Sequence, residues 1–133
     1  MLKQLKRFWP FGMVLAIVLF PFQWLGQKSG TFNQLILAVF PTEDQHAIGH
    51  LGIFFLFGGL LLRTFPSLRS RPWLYMGLIL LAGLAEETGQ VITKHYLDVI
   101  DTAHDLVLDL IAGSIVLALV TIWQKAQYRR KLV

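Results

Sequence analysis

Four apolar stretches alternate with short polar segments along this chain: about Phe8 to Leu25, Gln45 to Leu62, Trp73 to Ile92 and Ala103 to Trp123. A bilayer core roughly 30 Å thick takes about 20 mostly apolar helical residues, slightly fewer where aromatics and snorkelling cations flank the span. Each stretch meets that length, so the pattern predicts four transmembrane helices. Pro10 and Pro21 stand near the ends of the first, where a missing N–H costs little. Between the first and second stretches, Thr31-Phe-Asn-Gln34 has the spacing of a capping box, and Phe32, Leu35, Ile36, Val39 and Phe40 recur at helical intervals until Pro41. This predicts a short amphipathic helix over 31–40 lying on the outer interface. Thr42-Glu-Asp-Gln45 and Thr102-Ala-His-Asp105 repeat the capping spacing at the starts of spans two and four. The expected fold is therefore all-α and polytopic, in one domain over 1–133, with no internal repeat and no soluble domain.

Composition strengthens the membrane assignment. Of 133 residues 55% are hydrophobic and 15% charged, and the mean hydropathy is +0.58, too apolar for an ordinary soluble domain and too short for two. The chain has no cysteine, which excludes disulfides and a thiol nucleophile and leaves His and carboxylates as the strong metal ligands. The first span follows Lys3, Lys6 and Arg7 like a signal peptide, but Phe22, Gln23 and Trp24 after it offer no small-x-small cleavage site, so it is read as a retained span.

Charge sets the orientation. With a cytoplasmic N-terminus, the inner segments hold Lys3, Lys6, Arg7, Arg63, Arg69, Arg71, Lys125, Arg129, Arg130 and Lys131, ten of the twelve Lys and Arg; Lys28 and Lys94 remain outside. The positive-inside rule then gives four spans with both termini cytoplasmic. Attraction of scattered inner cations to anionic headgroups accounts for the pI of 9.7, and nucleic acid is not an expected partner.

Against this apolar background every acid and every histidine falls in three windows, Glu43 to His50, Glu86 to Glu87 and His95 to Asp109. At about 1.5 Å per residue, Glu87 lies about 20 Å from the inner start of span three, and His50 and Asp109 lie about 10 Å below the outer ends of their helices. Glu87, Gln90, His46, His50, Asp105 and Asp109 thus share one layer. His46 and His50, Asp105 and Asp109, and Glu87 and Gln90 each lie on one helix face. An ionised residue at a helix centre costs about 2.5 to 3.5 kcal/mol on insertion, so the groups are expected to face inward or line a wet cavity open to the outside. Gly83 and Gly113, one turn from Glu87 and Asp109, would let spans three and four approach closely.

His50 followed by Phe54 and Gly58, Glu87-Thr-Gly-Gln90, and Asp105-Leu-Val-Leu-Asp109-Leu-Ile-Ala-Gly113 together resemble the VanZ-like family of small bacterial membrane proteins, over about Asp44 to Leu119. The resemblance implies a multi-span cell-envelope protein; the founding member is associated with low-level resistance to the lipoglycopeptide teicoplanin. The chain departs from the family where His46 and Ala47 replace an Asp-Lys pair, where Lys94 and His95 stand in place of an arginine after Glu-x-x-Gln, and where Asp109 replaces an asparagine. These changes make the layer more acidic and richer in histidine, which moves the expectation from anion binding towards a cation or a proton.

Simple structural roles are set beside the functional ones. Asp105 has the position of a helix cap. Glu86, Asp98 and Asp101 read as solvated surface charges, His46 as a headgroup neighbour, His95 and His104 as loop or helix-start residues. Phe8, Trp9, Trp24, Trp73, Tyr75 and Trp123 read as an interfacial aromatic belt. His50, Glu87, Gln90 and Asp109 remain as the principal binding set, with His46 and Asp105 secondary. Three functions fit: a protein binding the polar head of a lipid-linked or amphiphilic envelope molecule at the outer leaflet, with the 31–40 helix as a lid; a scaffold subunit whose lipid-facing surfaces bind partner helices; and a hydrolase in which His46, His50, Glu87 and Asp109 hold a divalent metal. The chain lacks H-E-x-x-H and an outer arginine cluster for phosphate, so the reading leans away from an enzyme and from a resident cofactor.

Overall fold

The structure, a computed structural model, describes residues 2–20, 22–39 and 42–130, and all regular structure among them is helical. The helices are α1 (Leu2–Val18), α2 (Phe22–Lys28), α3 (Gly30–Val39), α4 (Glu43–Thr64), α5 (Pro72–Lys94) and α6 (Val99–Arg130), with a 3-10 turn at Pro66–Ser70 between α4 and α5. Among the described residues, two helices are long and apolar enough to cross a membrane, Ala47–Thr64 within α4 and the whole of α6; the apolar part of α1, Phe8–Val18, is shorter.

The helix ends follow local chemistry. Thr42 is extended and its hydroxyl accepts from the Gln45 N–H at 3.3 Å, the expected cap of α4. At the other end the Arg69 Nε donates to the Leu62 carbonyl at 3.3 Å, satisfying one of the acceptors that a helix leaves open. Pro72 opens α5, and His95 closes it in the left-handed conformation (φ 61) with its N–H bonded to Val91 O.

Helix α1 begins at Leu2 and not Phe8, so Pro10 lies inside it, and α6 runs on to Arg130 past the expected Trp123; three further boundaries differ for local reasons. The first apolar stretch is not one helix to Leu25: α1 ends at Val18 and α2 begins at Phe22. A proline at position 21 supplies no amide and disfavours helical dihedrals in Phe20 before it, which is reason enough for the break. Helix α3 is capped by Ser29, whose hydroxyl accepts from Phe32 N at 3.3 Å, rather than by Thr31. Helix α6 starts at Val99, ahead of the expected Ala103, because the Asp98 carboxylate accepts from Ile100 N at 3.1 Å and Asp101 N at 3.2 Å and caps the helix one turn earlier. Asp98 is thus a cap, not merely a solvated charge.

Helices α4, α5 and α6 form the centre. His50 meets Asp105 and Asp109, whereas Gly58 meets Tyr75 and Ile79, and Ile79 meets Gly113. Helices α4 and α6 therefore run the same way and α5 runs opposite to both. Helix α1 lies against α4 in the reverse direction, with Phe11 stacked on Phe57 and set edge-on against Phe65. The main neighbour of α3 is α2, and Gln27 of α2 donates to Thr93 O near the end of α5 at 3.0 Å.

Small residues set the helix spacing. A methyl group on Gly58 would run into the Tyr75 hydroxyl, and one on Gly113 would lie 3.1 Å from Ile79 Cγ1. Tyr75 is fully buried and donates to Gly113 O at 3.1 Å. It belongs to the core and not to the aromatic belt, since its hydroxyl has a carbonyl to satisfy across the helix interface. Trp9, Trp73 and Trp123 are exposed, as are Leu56, Leu81 and Ile122, while His50, Glu87, Asp105 and Asp109 are buried. Apolar side chains cover the outside and ionisable ones occupy part of the inside.

Candidate functional site

The site is built around one imidazole. His50 lies two turns into α4, facing α6, and its Nδ1 is 3.2 Å from Asp109 Oδ1. Nε2 faces Asp105 Oδ2 at 3.5 Å and Glu86 Oε1 of α5 at 3.8 Å. The Phe54 ring, one turn further along α4, lies parallel to the imidazole with centroids 6.4 Å apart. Glu87 is tied at both oxygens: Thr102 Oγ1 donates to Oε2 at 2.8 Å, and Gln90 Nε2 donates to Oε1 at 3.1 Å.

Helical spacing explains the convergence. Asp105 and Asp109 are one turn apart and present their carboxylates to the two sides of the same ring. Gly83 allows the approach of α5, since a Cβ there would lie 2.6 Å from Asp109 Oδ2 and 2.9 Å from Leu106 Cδ2. Two carboxylate oxygens, Glu86 Oε2 and Asp109 Oδ2, are buried without a hydrogen-bond partner. Lys94, on the same helix as Glu86 and Glu87, is directed to Asp101 at 3.7 Å instead.

Of the residues singled out in the sequence, the structure brings together His50, Glu87, Asp105 and Asp109, with Gln90 held to Glu87. The His46 side chain lies outside the described residues. Asp105 is not a cap: α6 starts well before it, its side chain is 4% exposed, and His104, itself largely exposed, lies 3.7 Å away. Thr102, expected as the cap of the fourth span, spends its hydroxyl on Glu87.

Glu86 was not apparent as a site residue. It reads as solvated because it sits beside Glu87 and near the outer end of its span, yet its side chain is 21% exposed and faces His50. A signal was present: Glu86 is three residues from Gly83 and four from Gln90, on the face that packs closely against α6.

Ligand geometry within this cluster falls into two overlapping triads, His50 with Glu86 and Asp109, and His50 with Glu87 and Asp105; in each, one candidate donor atom per residue lies within 4.8 Å of the others. The expected metal set of His46, His50, Glu87 and Asp109 is therefore drawn differently, with Glu86 and Asp105 taking part. Carboxylates outnumber the imidazole four to one, so the layer suits hydroxyl or ammonium donors, a proton or a metal cation, and opposes phosphate.

No protein-family model, curated protein or solved structure matches this chain.

Proposed function

We propose that the chain is a VanZ-like, multi-pass protein of the bacterial cytoplasmic membrane, and that its polar layer binds the head of a lipid-linked or amphiphilic envelope molecule at the outer leaflet. The head would carry hydroxyls or amines, the donors that a carboxylate-rich layer accepts from. His50, Glu86, Glu87, Asp105 and Asp109 form the contact set, with Gln90 orienting Glu87.

The observation that carries this reading is the convergence of four buried ionisable side chains and the half-buried Glu86 inside a helical assembly with many exposed apolar side chains. Ionisable groups at membrane depth are costly and mark binding or transport sites by default. The alternating directions of α1, α4, α5 and α6 and the distribution of cations support reading them as four spans. Arg63, Arg69 and Arg71 lie at one end of the assembly and the capping residues Thr42 and Asp98 at the other. On the positive-inside rule the first end is cytoplasmic, both termini lie on that side, and the polar layer lies nearer the outside.

One observation favours a scaffold role instead. The bonds from His50 to Asp109 and from Thr102 to Glu87 tie three helices together, as a purely structural network would. The two readings part on conservative variants. A strain lacking the chain and complemented with Glu87→Gln or Asp109→Asn should behave as the deletion strain in its envelope lipids or lipoglycopeptide susceptibility, although the variants insert and accumulate normally. If instead only abundance or association with partner proteins changes, the scaffold role holds and the binding role does not.

A further inference from the structure

The carboxylate-rich layer holds a single basic group, the His50 imidazole. Around His50 stand four carboxylates from two helices, and neither Lys nor Arg is paired with them among the described residues. Asp109 is 1% exposed, and one of its oxygens has no hydrogen-bond partner; the same holds for one buried oxygen of Glu86. Leaving a buried carboxylate oxygen unsatisfied is costly, and a cation among these carboxylates would relieve that penalty.

The spacing is that of ligands to a metal. Metal bonds of about 2.0–2.2 Å to His nitrogen and carboxylate oxygen hold neighbouring donors about 3–3.5 Å apart. Asp109 Oδ1 is 3.2 Å from His50 Nδ1, Asp105 Oδ2 and Glu86 Oε1 are 3.5 and 3.8 Å from Nε2, and in each of the two triads that share His50 the donor atoms lie within 4.8 Å of one another, close enough to draw in around an ion. Ligating carboxylates are commonly held by further hydrogen bonds, and Glu87 receives two, from Thr102 and Gln90. With an imidazole, several carboxylates and no thiol, the donor set suits manganese or zinc better than copper(I).

We infer that His50, Glu86, Glu87, Asp105 and Asp109 bind a single divalent transition cation between α4, α5 and α6. Glu86 and Asp109 form one triad with His50, and Glu87 and Asp105 form the other, so the donors draw in around one shared ion, which offsets two of the four carboxylate charges. This deepens the proposed function, on which it rests, by giving the head group a positive centre to coordinate through its own oxygens.

The test uses the full chain, purified in detergent, stripped with a chelator and titrated with manganese while free manganese is followed by electron paramagnetic resonance. One saturable site per chain is expected, displaced by zinc, and weakened about tenfold or more in Glu86→Gln. Among the described residues the Glu86 carboxylate accepts no hydrogen bond and its one ion-pair contact is His50 Nε2 at 3.8 Å, so this variant should fold; Asp109→Asn should weaken binding as well, with helical content checked by circular dichroism. A folded native protein that takes up neither manganese nor zinc would overturn the inference and leave a shared proton as the counter-charge. Equal binding by the native chain and both variants would also overturn it, as surface adsorption. Metal binding in a protein that holds no amphiphile supports the metal site and removes only the head-group reading; amphiphile binding without metal does the reverse.

Discussion

Gly83 is the residue on which the site most depends without contributing an atom to it. Its missing side chain leaves room for the Asp109 carboxylate, whose Oδ2 would lie 2.6 Å from a Cβ at that position, and Leu106 would lie 2.9 Å away. The obstruction includes a buried carboxylate held by His50, so the neighbour cannot simply swing aside. Gly83→Ala should therefore destabilise the protein by about 1–3 kcal/mol, the range for overpacking a close contact, read from unfolding in mixed micelles. Gly77→Ala, on the same helix with nothing within 4 Å of the added methyl, should cost nothing and gain slightly in helix propensity. Equal effects at the two positions would show that α5 and α6 are not in contact at Gly83.

At the scale of elements, the start of α6 separates a cap from a site residue. The capping-box spacing of Thr102 and Asp105 is a genuine sequence pattern, but Asp98 offers an acceptor one turn earlier, and the helix takes the longer option. Thr102 and Asp105 are then free to turn inward. Asp98→Ala should cost about 1 kcal/mol through the lost cap, whereas Thr102→Ala should cost about 0.6 kcal/mol through one inter-helix bond. Thr102→Ala should also loosen Glu87 without fraying the helix start. Amide exchange at Ile100 and Asp101 reads the difference: it should rise in the first variant and not in the second, and a rise with Thr102→Ala would restore Thr102 as the cap.

The same elements show what sequence can and cannot convey. Period and length place α3, α4 and α5 within a few residues of their observed bounds, because each has clear flanking signals such as Thr42 and Pro72. The break after Val18 was visible only as a proline near the end of an apolar run, which is compatible with either a continuous span or a turn. Residues whose side chains lie on one face well inside an apolar stretch, His50 and Asp109, were legible as a layer. Glu86 and Tyr75 were not, because their roles depend on which neighbour occupies the opposite face, and one sequence does not state the rotation of a helix about its axis.

At the scale of the whole molecule, large apolar side chains are widely exposed among the described residues while an ionisable cluster is buried beside the apolar core: Trp73 is 89% exposed and Asp109 1%. An aqueous environment would reverse that preference, since water solvates carboxylates well and large apolar surfaces poorly. The distribution accords with a lipid-facing exterior and a polar layer held between α4, α5 and α6, and the central claim is that this layer binds the head of an amphiphile. Native mass spectrometry of the full chain released gently from its membrane tests that claim most directly. The account predicts one retained amphiphile per chain, present in the native protein and Gly77→Ala and lost in Asp109→Asn at unchanged helical content. A native protein that carries no amphiphile, or an Asp109→Asn variant that retains it fully, would contradict it.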